Sequence, residues 1–441
     1  IEAVGIVQGQ TSSLMHGDAS AKTGSQCYRR NKIRCVGTYH KQHSFPMTTA
    51  DSLPESRKAL LSSILFALLV TQVAVISISI AASSIVFGLS LMLVVYWSFA
   101  ERRWLLCGTS FDYFFLAYVC IEFLTTATAV FPAQAAVNTK RLLLISVLYL
   151  VLLSFDSRKK VLNSLLIIFG AVAVTSIIEI VYYYVVHEGR LYVFQHYMTT
   201  GGLKMIACLM IVPFILHKKT PAAVKGWLSL FFVPSFLALI LTNTRSSWVG
   251  FLGGVIVISI LKNKYLFFVL VAFLALFFLF APASQVHRAK SIVDLSDPTN
   301  HSRLVMWSTG LKIFADHPLL GIGDSDVHEV YAQYKSADDP EGGGHLHNNF
   351  VMLLVTLGLI GLSIVVAMFC KILVVEYQMF RGSTADWLAG SVTLGAFAVF
   401  IGFLLNGLFE WNFGSHQIMV FVWFTVGLAY AVKKLPAPES V

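Results

Sequence analysis

The sequence predicts an all-α polytopic membrane protein with about twelve transmembrane helices and one long outward loop that contains short helices. Three observations lead there. Of the 441 residues 56% are apolar and only 12% charged, and the mean hydropathy is +0.73, a balance foreign to a soluble domain of this length. The apolar residues gather in runs long enough to cross the hydrocarbon. Lys and Arg then mark alternate ends of those runs.

Taken in order, the runs lie at 59–78, 81–99, 111–131, 141–155, 161–186 and 203–217, then at 226–242, 246–262, 264–282, 348–370, 387–408 and 416–433. Arg57-Lys58, Arg102-Arg103, Arg158-Lys159-Lys160, Lys218-Lys219, Lys262 with Lys264, Lys371 with Arg381, and Lys433-Lys434 share one face. Basic residues resist translocation, so that face is read as cytoplasmic, and both termini with it. The opposite face receives Lys140-Arg141, the loop from His187 to Gly202, the turn at Arg245, the long polar segment, and Phe409 to His416. The net charge of +9 is mostly this topological signal. It implies membrane lipids, and no nucleic acid, as partners.

The organisation expected is a cytoplasmic segment 1–58, spans one to nine over 59–282, an outward loop 283–347, three spans over 348–433 and a cytoplasmic tail 434–441. Residues before Met47 read as an upstream extension, because Met47-Thr-Thr-Ala-Asp-Ser resembles a short cytoplasmic lead. No internal repeat stands out, and the other connections are too short to release a soluble domain. Cys27 and Cys35 lie in the N-terminal segment and Cys107, Cys120, Cys208 and Cys370 in or beside spans, so no outward disulfide framework is expected. Within the long loop, apolar residues at 304, 307, 311 and 314 line one helical face, with Asn300 or Ser302 as N-cap and His317-Pro318 as the stop. Such a helix suits the membrane-water boundary.

The chemistry is expected where that loop ends, at Gly342-Gly343-Gly344-His345-Leu346-His347-Asn348. His347 is the candidate base, since imidazole takes a proton near neutrality. The positive end of the following helix disfavours an imidazolium there, whereas Asp338, Asp339 and Glu341 favour it. Arg245, Arg303 and Arg190 all reach the outward face, where the topological rule disfavours them. Each reads as a snorkelling interfacial charge or as a guanidinium fork for phosphate oxygens, and together they suit an anionic headgroup. Lys140 and Arg141 either add to this field or anchor a span end. Glu410 is an outward carboxylate placed to orient a sugar hydroxyl or pair an arginine, and Trp411 beside it either stacks on a sugar or marks the membrane interface. Asp324-Ser325-Asp326, and His345 with His347, are the sequence signals for a metal. Neither completes a ligand set, so no metal is expected.

The set Thr242-Asn243-Thr244-Arg245-Ser246, Arg303 to Trp307, Phe314, His317-Pro318-Leu319, Gly321-x-Gly323, and His347-Asn348 with Gly358 and Gly361 resembles bacterial O-antigen ligases. Their superfamily also holds O-antigen polymerases and protein O-oligosaccharyltransferases. The resemblance implies a glycosyltransferase at the periplasmic face of the inner membrane, using neither metal nor cofactor. A glycan would move from undecaprenyl diphosphate to a sugar hydroxyl of lipid A-core, with inversion. By the same resemblance His347 is the general base, Arg245 and Arg303 hold the diphosphate, Arg190 is a looser match, and Asn348, His345 and Glu410 are further substrate-binding candidates. The short basic tail after Val432 is expected of a ligase. The Arg-x10-Gly spacing of polymerases occurs once, from Arg190 to Gly201. A lipid-glycan transporter is the non-enzymatic alternative, and it would bury charges near the bilayer midplane. Here the charges are expected to crowd the outward ends, with Gly201-Gly202 and Gly358 the modest interruptions of apolar runs.

Overall fold

A computed structural model describes residues 53–186, 189–336 and 344–436. The N-terminal extension, Cys27, Cys35, Asp338, Asp339, Glu341, Gly342 and Gly343 lie outside the described residues. Within them the helices are α1 (Glu55–Val75), α2 (Ile80–Ala100), α3 (Asp112–Ala127), α4 (Pro132–Asn138), α5 (Ser146–Ser154), α6 (Arg158–Val186), α7 (Tyr197–Leu216) and α8 (Ala222–Leu241). They continue as α9 (Arg245–Leu261), α10 (Tyr265–Phe280), α11 (Ala283–Lys290), α12 (Pro298–Asp316), α13 (His328–Tyr334), α14 (Asn349–Arg381), α15 (Trp387–Asn406) and α16 (His416–Lys434). A 3-10 segment, Thr139–Ile145, joins α4 to α5. The described residues are all-helical, and the chain is a multi-pass membrane protein.

Among the described residues nine spans are long and apolar enough to cross a membrane. Three expected spans fall instead on α3, α9 and α10, of 16, 17 and 16 residues. At 1.5 Å per residue these are about 24–26 Å long, short of a hydrocarbon core of about 30 Å. Ala281 shows one cause: it precedes Pro282 and turns extended, ending α10. Lys140-Arg141, expected at a span end, sit inside the continuous stretch Pro132–Ser154.

Helices α7, α15 and α16 form the centre, buried along most of their length, and α9 packs on both α7 and α15. Helix α7 runs unbroken through Gly201-Gly202, starting at Tyr197 and not at 203. A Cβ at Gly201 would stand 2.9 Å from Ser247 Oγ, and one at Gly202 2.6 Å from Ile418. The two glycines therefore let α9 and α16 approach closely beside the site. Charges are not confined to the bundle ends: Lys204 of α7 and Glu179 of α6 pair at 3.0 Å, both 1% exposed. Their wide sequence separation and apolar surroundings hid this pair from the sequence reading.

Helix α12 is longer than expected. Asp297 caps it by accepting from Thr299 N at 3.0 Å, with Pro298 in the first helical position; Asn300 and Ser302 already lie inside the helix. Its packed face is Met306, Thr309, Gly310 and Ile313, while Leu304 and Leu311 are exposed. Of the apolar stripe read from the sequence, Leu304 and Leu311 thus face outward, while Trp307 and Phe314 are half-buried and Trp307 Nε1 donates to Leu346 O at 2.9 Å. The packed face joins a small core with Ile322, Tyr331, Leu346 and Val355.

Helix α14 breaks at Gly358 (φ 66, ψ −171). Into the break docks the loop after α12: Ile322 N and Gly323 N donate to Val355 O and Thr356 O at 2.9 Å each, and Leu359 N donates to Pro318 O at 2.9 Å. The break frees those backbone groups and the loop satisfies them. Gly321 and Gly323, at φ 66 and 87, supply the turn. A Cβ at Gly358 would lie 2.2 Å from Leu319 O. Gly358→Ala is therefore expected to cost more than the ~1–3 kcal/mol of backbone strain alone, lowering the thermal midpoint in detergent. An unchanged midpoint would show that the splice is dispensable.

Candidate active site

The first wall of the site is built by the turn Thr242-Asn243-Thr244. Asn243 takes a left-handed conformation (φ 51), which its short polar side chain tolerates, and its Nδ2 donates to Gly189 O at 3.0 Å. Arg245 then opens α9 and turns into the protein. Its guanidinium donates to Ser291 O (2.7 Å), Ser291 Oγ (2.8 Å), Thr299 Oγ1 (2.7 Å) and Asn300 Oδ1 (2.8 Å), and lies 3.3 Å from Asp297. At 5% exposure it is a clamp between α9 and the start of α12.

Arg303, on the second turn of α12, makes no hydrogen bond among the described residues and faces a cavity of about 690 Å³. Burial pulls it below its ordinary value, offset in part by Glu410. Arg190 lies over the Tyr197 ring at 4.3 Å. The sequence reading missed a fourth arginine. Arg288 of α11 donates from Nε to Asn243 O at 3.2 Å; burial, then the charges of Arg245, Arg190 and Arg303, bring it down to about 10 against the pull of Asp297. It remains cationic at neutral pH. The signal was a basic residue in the loop read as outward, obscured by His287 and Lys290 beside it.

The opposite wall starts at α14. Asn348 is its N-cap, accepting from Phe350 N (2.8 Å) and Val351 N (3.1 Å) and donating to Leu408 O (2.9 Å). Its polar atoms are thus consumed by the fold, and at 8% exposure it is not offered to a substrate. Asn349 binds Asn412 and accepts from Phe413 N at 3.1 Å. These two asparagines fasten the α15–α16 loop to the start of α14. The result is a dyad: His347 Nδ1 stands 3.2 Å from Glu410 Oε2, 63 residues away. His347 itself is held left-handed, φ 45. Burial would raise Glu410, but the His347 hydrogen bond, with His345 and Arg303 nearby, holds it below the ordinary carboxylate range. An ionised carboxylate only accepts, so Nδ1 carries the proton and Nε2 is left with the lone pair of the neutral ring.

Tyr197, Arg303, His345, His347 and Glu410 line the cavity, and so does His196, which the sequence reading did not select. Burial, together with Arg190, His345 and His347, lowers His196 against the pull of Glu410. Arg141 reaches the same cavity, but one of its nitrogens donates at 2.9 Å to both oxygens of Asp324. Asp326 accepts from His328 N at 3.0 Å. Those acids serve the loop. The metal-competent group among the described residues is His345, His347 and Glu410.

Residues 230–366 match the family model described as O-antigen ligase. Over that stretch the chain is similar to the O-antigen ligase family. That span contains Arg245, Arg288, Arg303, His345, His347 and the Gly358 break, whereas Arg190, His196 and Glu410 lie outside it. The family supports a transferase of ligase or polymerase type acting on lipid-linked glycans. No curated protein matches the chain.

Proposed function

We propose that the protein is an inverting O-antigen ligase, moving a glycan from undecaprenyl diphosphate to a sugar hydroxyl of lipid A-core at the periplasmic face of the inner membrane. The observation that carries this reading is the cavity with the His347–Glu410 dyad on one wall and the Arg303 guanidinium on another. His347 Nε2 takes the acceptor hydroxyl proton. The oxygen attacks the anomeric carbon as its bond to the diphosphate breaks, and the glycan's configuration inverts. Arg303, with Arg190 and Arg288 adding charge, stabilises the negative diphosphate as it leaves. Arg245 acts one step back, holding the start of α12 and so the register of Arg303.

The test offers purified protein an undecaprenyl-diphosphate glycan together with lipid A-core and follows the glycan by gel and mass spectrometry. Glycan on lipid A-core is expected. Lengthened lipid-linked glycan with untouched core would instead mean a polymerase, which the Arg190-to-Gly201 spacing weakly suits. No covalent change in either lipid would remove the transferase reading.

A further inference from the structure

His345, His347 and Glu410 present ligand atoms that all lie within 4.8 Å of one another. On a tetrahedral Zn²⁺ with bonds of about 2.0–2.1 Å, two ligand atoms sit about 3.3 Å apart. The His347–Glu410 separation of 3.2 Å already has that length. The His345 ring meets the His347 ring edge to face, centroids 4.2 Å apart, and its exposure leaves room to rotate inward. Glu410 Oε1 accepts from Trp411 N at 3.2 Å, a second-layer contact of the kind that orients metal-binding carboxylates. Two imidazoles and a carboxylate with an open fourth position suit Zn²⁺ better than a hard cation.

We propose that this triangle binds a divalent transition-metal ion, Zn²⁺ foremost, and that the bound ion blocks transfer. The block rests on the reading of His347 as base; the binding does not. Metallation of either ring nitrogen removes that base. An ion on Nδ1 leaves the ring proton on Nε2, and an ion on Nε2 takes the lone pair itself. Arg303 and His196, which both feel the Glu410 charge, oppose a dication, so binding is weaker than at a structural zinc site and reversible by chelator.

The test is a Co²⁺ titration of the tag-free, metal-free full-length protein, read by visible absorption, where tetrahedral coordination gives intense bands. A saturable band for one ion is expected, displaced by Zn²⁺. It should disappear in His345→Ala and Glu410→Gln, two variants on separate loops, and persist in His301→Ala, an exposed histidine outside the cluster. In transfer assays Zn²⁺ should inhibit and chelator restore. His345→Ala should raise the half-inhibiting Zn²⁺ concentration about 10-fold or more relative to its own metal-free rate. Absence of the band, or its persistence in both cluster variants, overturns the site. A band without inhibition of an active protein overturns the block, while a band in a protein that transfers nothing upholds the site and counts against the transferase reading.

Discussion

His347→Ala lowers the transfer rate by about 10²–10⁴-fold, the usual contribution of a positioned general base, and leaves donor binding intact. The separation follows from the layout: the dyad occupies the wall opposite the arginines, so removing the imidazole takes no cation from the diphosphate. Single-turnover transfer and equilibrium binding of the lipid-linked donor read the two effects independently. Retained turnover would remove His347 as the base. Loss of donor binding together with rate would mean that the histidine holds the donor and that the acceptor is activated elsewhere.

The second large effect separates Arg303 from Arg245, two residues that look alike in the sequence. Arg303→Lys keeps the charge and loses the planar fork. Loss of one charged hydrogen bond, worth about 1.5–3 kcal/mol, predicts roughly a 10- to 150-fold fall in kcat/KM for the donor with the thermal midpoint unchanged. Arg245→Lys cannot reproduce four protein contacts to Ser291, Thr299 and Asn300. Its midpoint falls, and activity falls with it as α12 loses its register. Equal midpoints in the two variants, with equal losses of donor affinity, would contradict the clamp and put Arg245 in the diphosphate site.

What the sequence discloses and what it conceals divide along physical lines. Apolar run length located the helices long enough to cross the membrane, because a backbone in hydrocarbon must satisfy itself locally, but not the short α4, α11 and α13. His347, Arg303 and Gly358 were legible because each breaks a local expectation: a titratable ring at a span mouth, a cation on the disfavoured face, a glycine in an apolar run. Glu410 was visible as an outward acid, but its partner was not, since pairing across 63 residues depends on two asparagines fastening one loop to another helix. Arg245 was read as a snorkelling charge or a ligand fork because sequence cannot show that its donors are spent on the protein itself. Arg288 and His196 lacked any local pattern. Lys204 and Glu179 cancel each other inside the bundle, and neither neighbourhood announces it.

The left-handed backbone at His347 sets stability against chemistry at one residue. An L-residue held there costs about 1–2 kcal/mol that glycine would not. The backbone at this position would therefore favour glycine, while buried Glu410 would lose its hydrogen-bond partner to that change. Directed evolution that scores only heat resistance weighs those two terms and is blind to the imidazole's chemistry, so a thermostabilised variant has to be selected on turnover in the same round.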